Sequence, residues 1–544
     1  MRDLRTRMTL VRPVPPGLAG AHGPRPRSHA RRAMATLVSA ASGGSLALAF
    51  DPVGASLLAP VAIAALTVAA TVFADTARGA GVLGYVFGSA FLAAHVWWLE
   101  DSIGPGAWAA VTLIEALWFA AVAASIPLLR RLPAWPILLA ATWSAVEVLR
   151  QLWPFGGFPW GQVGFTAVDT PVSAALPYVG VTGAGFIIVL LAAAVAHAVL
   201  DLRRHLDRSL LYLTGAVAVI GVPLLMPYGV TRTGSVTVAV VQGDVPGNGR
   251  DVVGNHRQIT RDHANATIDL ARRVAAGTAR RPDLVVWPEN STAVDPIRDP
   301  EASAEIGRAA AAIRAPLLVG GIVDGPRPGT ALNQGIMWSG SGPDGQAYTK
   351  QHPVPFGEFI PLRSVLDGLS PRLAEIPRDM LPGPDAEPLD IGTSRGVVRV
   401  ADAICFDVAY AEPLAQQVRL GAELAVVQTS NAMFTGTSQR AQQFTMSRAR
   451  ALETGRTVIV ASLNGISGII SADGAVQARL EEQTTSIMLE DVATSTDVTP
   501  AVRLMPWIEA ALLSIAALAT TWALIAGAMG RPRSRPTSAP SVPV

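Results

Sequence analysis

The stretch ADAICFDVAY, residues 401–410, holds the only cysteine of a 544-residue chain. A thiol becomes a strong nucleophile once a neighbouring base takes its proton, yet a lone free cysteine is more often a small buried hydrophobe. Two other residues bear on the choice. Glu289, in DLVVWPEN, is a carboxylate after an apolar run, which alone fits a helix cap or a loop and beside a cysteine fits a general base. Lys350, in QAYTK, is the only lysine among 43 basic residues, the rest being arginine. It is either a surface lysine left by chance or a residue kept for a task that a planar guanidinium does poorly, such as aiming a compact ammonium at one oxygen. Together the three form a complete acyl-transfer set: the base activates the sulfur, the ammonium holds the developing oxyanion and the sulfur carries the acyl group.

Each of these residues follows a strand-like run: DLVVWP before Glu289, QAYT before Lys350 and VVRVADAI before Cys405. From about Gly234 to Thr499, short apolar strands alternate with amphipathic helices, among them 256–275, 302–314 and 439–454. That alternation predicts a layered α/β sandwich, in which strand ends and the loops after them build sites. A helix opening just after Cys405 would favour the thiolate. The Pro-rich region 353–388 reads mostly as loop. No phosphate-binding glycine motif or metal-ligand cluster of useful spacing occurs, and the eight histidines are scattered, so neither cofactor nor metal is expected. A single cysteine excludes an internal disulfide.

The rest of the chain is of a different kind. Half of all residues are hydrophobic and only 15% are charged, which points to a membrane protein. Apolar runs at 34–50, 55–74, 79–99, 106–129, 133–149, 172–200, 208–228 and 507–529 are mostly near the ~20 residues a bilayer requires, which predicts eight spans. Arginines gather at alternate ends, at Arg2 to Arg32, Arg78, Arg130–Arg131, Arg203–Arg204 with Arg208, and Arg531 to Arg535, which sets those ends in the cytoplasm. The opposite ends carry FDPVG, WWLEDSIGPG and WPFGGFPWGQVGF and face outward. The expected organisation is a disordered basic arm over 1–33, seven transmembrane helices over 34–230, an extracytoplasmic domain over 234–499, an eighth span over 507–529 and a cytoplasmic tail over 530–544. A net charge of +2 gives no reason to expect nucleic-acid binding. Glu115 falls inside the fourth span, where a carboxylate is a functional candidate by default and a structural partner or a misplaced span edge is an equal reading, so it is assigned no role.

VVWPEN, KQHPVPFGEFIP and AICFD, in this order, resemble the nitrilase superfamily with its Glu-Lys-Cys triad, and eight spans with this domain before the last resemble the apolipoprotein N-acyltransferase family. The resemblance covers all but the two tails. It implies an αββα sandwich inserted into a polytopic bundle in a bacterial plasma membrane, with Glu289 as base, Lys350 as oxyanion stabiliser and Cys405 as nucleophile. It further implies a supporting role for Glu358 in PFGEFIP and for Trp287, Phe356, Phe406 and Asp407 near the site. Phe406 stands where the family often has tyrosine, Asp407 where it often has glutamate, and Gln442 where it often has histidine. The implied reaction takes a fatty acyl chain from a membrane phospholipid through a Cys405 thioester to the α-amino group of a lipoprotein's N-terminal diacylglyceryl-cysteine. The aromatic outer loops would floor a lipid entrance, with PVPFGEFIP as a lid. The alternative within the superfamily is a membrane-tethered amidase that uses water as acceptor. A transporter or receptor with Cys405 as packing is the rival from another class.

Overall fold

The computed structural model describes residues 27–529 except 341, 367–372, 374, 375, 385 and 394. The first helices form a bundle: α1 (Arg27–Ala47), α2 (Leu58–Val72), α3 (Ala77–His95), the short α4 (Trp98–Ser102), α5 (Pro105–Leu129), α6 (Trp135–Leu152), α7 (Leu176–Asp201) and α8 (Leu206–Leu225). Helix begins at Arg27, inside the expected arm, because RSHARRAMA is made of good helix formers. The remainder of that arm and the 530–544 tail lie outside the described residues. Helices occupy each of the eight apolar runs. Among the described residues, five segments are long and apolar enough to cross a membrane: Ala77–His95, Pro105–Leu129, Pro171–Asp201, Leu206–Leu225 and Pro500–Ala526.

Next comes the α/β domain, in the order β1 (Gly234–Gln242), α9 (His256–Ala275), β2 (Leu284–Val286), α10 (Pro300–Ile313), β3 (Leu317–Asp324), β4 (Thr330–Ser339) and β5 (Gly342–Thr349). It continues with α11 (Arg363–Leu366), β6 (Asp379–Met380), β7 (Leu389–Thr393), β8 (Gly396–Ile404), α12 (Glu412–Arg419), β9 (Leu424–Thr429), α13 (Gln439–Thr454), β10 (Val458–Ser462), β11 (Gly468–Ile470), β12 (Val476–Arg479) and β13 (Ser486–Thr494). Helix α14 (Pro500–Met529) then returns to the bundle, opened by Pro500 and by Thr499, whose hydroxyl accepts from Val502 N–H at 3.3 Å.

One sheet runs β13-β1-β2-β3-β4-β5, with β6 beside β4, and the other runs β12-β11-β10-β9-β8-β7. Strand alternation divides their side chains. Val238, Val240, Leu284 and Val286 meet Val400, Val426 and Ile459 between the sheets. Val285, Trp287 and Leu317 face outward onto α9 and α10. On the other outer face, Ala401, Ala403, Ala425 and Val427 pack under α12 and α13, and that cluster runs on without a break into the helix bundle. The domain is therefore an αββα sandwich with one helical layer seated on the bundle.

The seat is polar as well as apolar. Gln442 on α13 accepts from Trp160 Nε1 at 2.7 Å and Trp98 Nε1 at 3.1 Å, and donates to Asp51 O at 3.2 Å and His95 O at 3.1 Å. Three loops at one end of the bundle thus meet one amide. At the far ends of α5 and α7, Arg130 pairs with Asp201 at 3.0 Å.

Candidate active site

Glu289 follows β2, Lys350 immediately follows β5 and Cys405 immediately follows β8, and the fold brings these strand ends together. Lys350 Nζ lies 2.8 Å from Glu358 Oε1 and 3.4 Å from Glu289 Oε1. Asn333 on β4 reaches the same pair, donating to Glu289 at 2.7 Å and to Glu358 at 3.3 Å. The placement is set by the β4–β5 hairpin, in which Lys350 N–H donates to Asn333 O at 2.9 Å. Ser430 N–H, at the end of β9, holds the second oxygen of Glu289 at 2.8 Å. Glu289 and Lys350 are only 3% and 1% exposed. Burial alone would pull the ammonium down, but the carboxylates of Glu358 and Glu289 outweigh it and hold Lys350 above the ordinary lysine range. Burial pushes the Glu358 carboxyl up, Lys350 opposes this and Glu289 adds to it.

Cys405 has φ +53°, a left-handed conformation in which a non-glycine residue is strained. It begins a single 3₁₀ turn, Cys405–Ala409, instead of the longer helix expected there. So short an element supplies little dipole, and the thiol is pushed up to about 12 by burial and then by the negative charge of Glu289, against the help of Lys350. Burial beside a carboxylate therefore favours the neutral thiol, contrary to the thiolate expected from the sequence. Gln443 Nε2 stands 3.5 Å from Sγ, and the Thr429 hydroxyl donates to Gln443 Oε1 at 3.1 Å.

Asp407 is buried within this turn and ties it to the strand and loop that bear Lys350. Its carboxylate accepts from Tyr348 OH at 2.8 Å, His352 N–H at 2.8 Å and Ile404 N–H at 3.1 Å, and His352 Nδ1 lies 3.2 Å away. Burial alone would push this carboxyl up, but the His352 contacts, Lys350 and Tyr348 hold it below the ordinary range. His352 stacks on Tyr410 at 3.7 Å between ring centres, and Tyr410 OH donates to Gly156 O at 2.9 Å, so the network reaches the loop after α6 of the bundle.

The loop after Lys350 folds back through Glu358, whose Oε2 accepts from Val354 N–H at 2.8 Å. Phe356, at φ +60°, meets Phe155 edge-on at 6.1 Å. Phe406 stacks against Trp160 at 6.2 Å and packs beside Phe158. Trp287 does not join the site. It is fully buried on the opposite face of β2, under α9, where its Nε1 donates to Thr267 Oγ1 at 3.0 Å. Trp98 and Trp160 are likewise anchors buried against Gln442, which leaves Trp97, Trp153 and Phe155 as the exposed aromatic residues of the outer loops. Glu115 has a structural partner: Arg150 lies 3.3 Å away and donates to the carbonyls of Phe158 and Trp160. Asn333, Ser430, Thr429 and Gln443 complete the constellation and carry no sequence signal, being neutral polar residues at strand ends or on a helix. Among the described residues no group of three or more His, Cys, Asp or Glu is arranged to hold a metal ion.

The family model described as apolipoprotein N-acyltransferase N-terminal domain matches residues 42–194, and that described as carbon-nitrogen hydrolase matches residues 237–498. The chain is 32% identical to an apolipoprotein N-acyltransferase of Mycolicibacterium smegmatis, over 88% of this chain and 83% of that protein. It is 29% identical to one of Pseudomonas putida, over 91% of this chain and 97% of that protein. Among solved structures, Saccharomyces cerevisiae Nit3, a member of branch 10 of the nitrilase superfamily, matches 48% of this chain and 91% of its own, at 19% identity and a TM-score of 0.35.

Proposed function

This chain belongs to the apolipoprotein N-acyltransferase family, and from that premise we propose how it transfers a fatty acyl chain from a membrane phospholipid to the N-terminal amine of a diacylated lipoprotein. It is an acyltransferase of lipoprotein biosynthesis. In the first half-reaction, Glu289 takes the thiol proton as Cys405 Sγ attacks the phospholipid ester carbonyl. The tetrahedral oxyanion forms against Lys350 Nζ, and its collapse passes the proton to the departing lysophospholipid oxygen and leaves a thioester on sulfur. In the second, the lipoprotein α-amine attacks that thioester, Glu289 accepts the amine proton, and the proton returns to the departing sulfur.

A neutral resting thiol fits this reading, because the base acts at the moment of attack and no reactive thiolate waits unprotected. Glu358 accepts from Lys350, and Asn333 bridges Glu289 and Glu358, which orients the ammonium and the base, and Asp407 keeps the Cys405 turn in register with the loop that carries Glu358. Phe356 and Phe406, beside exposed Phe155 and buried Trp160, line the way between outer loops and sulfur. We further read eight membrane spans with the α/β domain on the extracytoplasmic side, where both lipid-anchored substrates of a bacterial plasma membrane can reach Cys405. The observation that carries the reading is a buried ammonium clamped by two carboxylates, at strand ends that also bear the chain's only thiol.

The test is to incubate the protein with phospholipid carrying a labelled acyl chain, trap the adduct on Cys405, and add diacylated lipopeptide. A hydroxylamine-sensitive adduct that disappears as triacylated lipopeptide forms is the expected result. Free fatty acid at the same rate with or without lipopeptide would mean that water is the acceptor.

A further inference from the structure

Between the two sheets, behind the strand ends that carry Glu289 and Cys405, lies a carboxyl group for which the transfer chemistry has no use. Asp402 on β8 is 0% exposed, and neither of its carboxyl oxygens accepts a hydrogen bond of ordinary geometry. Burial and then the negative charge of Asp407 push it well above the ordinary carboxylate range, the Ala403 amide offsetting part of this. Asp407 acts on it as a further negative charge, and Asp402 in turn helps to raise the Tyr348 hydroxyl.

Gln428 on the adjacent β9 is also fully buried. Its Nε2 donates to Trp287 O at 2.6 Å, which turns Oε1 the other way, and Oε1 has no donor. Asp402 Oδ2 and Gln428 Oε1 converge over the bare backbone of Gly335 on β4: a Cβ on that glycine would stand 2.1 Å from the first and 2.4 Å from the second. Two acceptors facing each other in an apolar interior repel. Turning the amide over only moves the conflict to Trp287 O. One proton on Asp402 gives the Asp402–Gln428 contact a donor and leaves the Gln428–Trp287 bond intact.

We propose that Asp402 is a neutral carboxylic acid whose hydroxyl donates to Gln428 Oε1, and that the relay from Asp402 through Gln428 to Trp287 O positions Glu289. Trp287 lies two residues before Glu289 on the same segment. Gln428 lies two residues before Ser430, whose amide grips the Glu289 carboxylate. One proton in the core thus fixes both the segment that carries the carboxylate and the amide that holds it. Asp402 touches no reacting atom and is a positioning residue, and its kinetic part rests on Glu289 being the base.

Two measurements on the full chain in detergent test this. The infrared spectrum at neutral pH should show the carbonyl stretch of a protonated carboxylic acid that Asp402→Asn removes. Asparagine can donate to the same Oε1, so Asp402→Asn should form the acyl-enzyme within about threefold of the wild-type rate. Leucine cannot, so Asp402→Leu should acylate roughly 10²-fold more slowly, with KM for phospholipid unchanged. Absence of the band, an Asp402→Asn as slow as Asp402→Leu, or a fully active Asp402→Leu would each overturn the proposal. If the leucine variant does not fold, the band and Asp402→Asn still decide it. Normal acylation by Glu289→Gln would sink the base reading and the positioning of a base, while the band would still report the proton.

Discussion

Lys350 is where charge and shape part company. Its ammonium fits between two carboxylate oxygens at 2.8 and 3.4 Å, in the proposed mechanism it also serves as the oxyanion donor, and a guanidinium of the same charge must displace Asn333 or Glu358 to enter. Lys350→Arg should therefore lose about 10²–10³ in acylation rate, the scale for removing one oxyanion donor, as followed by labelled-phospholipid turnover. Wild-type kinetics would mean that the lone lysine has no special task. The thiol allows a pH test of matching sharpness. Cys405 is pushed up to about 12, so its charged form is disfavoured throughout the neutral range and thiolate grows only as pH rises toward that value. Ultraviolet thiolate absorbance, taken as the difference between wild type and Cys405→Ser, should be absent up to about pH 10, where an ordinary cysteine is already ionised. A titration centred near the ordinary cysteine value would show that the site stabilises thiolate at rest. Cys405→Ser itself should abolish transfer at unchanged protein level, since a serine hydroxyl is far harder to ionise.

At the scale of elements, the loop between β5 and α11 separates the two glutamates by position. Glu289 sits after a core strand, gripped by Ser430 N–H and Asn333, whereas Glu358 belongs to a Pro- and Gly-flanked loop closed by its own bond to Val354 N–H. Glu358→Gln should charge slowly with acyl chain yet discharge to a lipopeptide amine at a rate nearer normal, as read in a single-turnover chase. Normal charging with blocked discharge would reverse the two assignments. The same contrast explains what was legible in the sequence. Helices His256–Ala275 and Gln439–Thr454 stand where their periodicity placed them, and the three reactive residues follow strands because apolar runs of that length are readable. Trp287 was misplaced because an apolar run does not say which face each residue takes, and alternation sends Val285 and Trp287 outward under α9. The thiolate expectation failed because five residues of 3₁₀ turn cannot offset burial beside a carboxylate. Asn333, Ser430 and Gln443 gain their meaning only from the meeting of distant strands. Strands β12 and β13 expose much of their length and lack the apolar density that reveals a core strand.

The whole molecule is arranged so that one end of the bundle is bound to the catalytic domain and the other carries arginine. Glu453 on α13 accepts from Val181 N–H at 2.9 Å, just past the kink of α7 at Gly180, while Arg450 pairs with Glu453 and donates to Val408 O and Ala409 O at 2.9 and 2.8 Å. A membrane helix and the turn that opens with Cys405 thus share one buried ion pair. Helix α5 runs 25 residues, about 38 Å at the α-helical rise, from the domain side at Pro105 to Arg130, which is enough to cross a hydrocarbon core of about 30 Å. In the proposed orientation the two ends lie on opposite sides of the bilayer, with Arg130, Arg203 and Arg204 in the cytoplasm. The single cysteine makes this testable, because Cys405→Ser is a cysteine-free background. Val253→Cys, on an exposed loop of the α/β domain, should react with a membrane-impermeant maleimide in intact spheroplasts. Arg204→Cys, between α7 and α8, should react only after the membrane is opened. Labelling of both in sealed cells would leave the bundle without a sealed crossing between them, and the reverse pattern would set the catalytic domain in the cytoplasm, away from lipoproteins anchored in the outer leaflet.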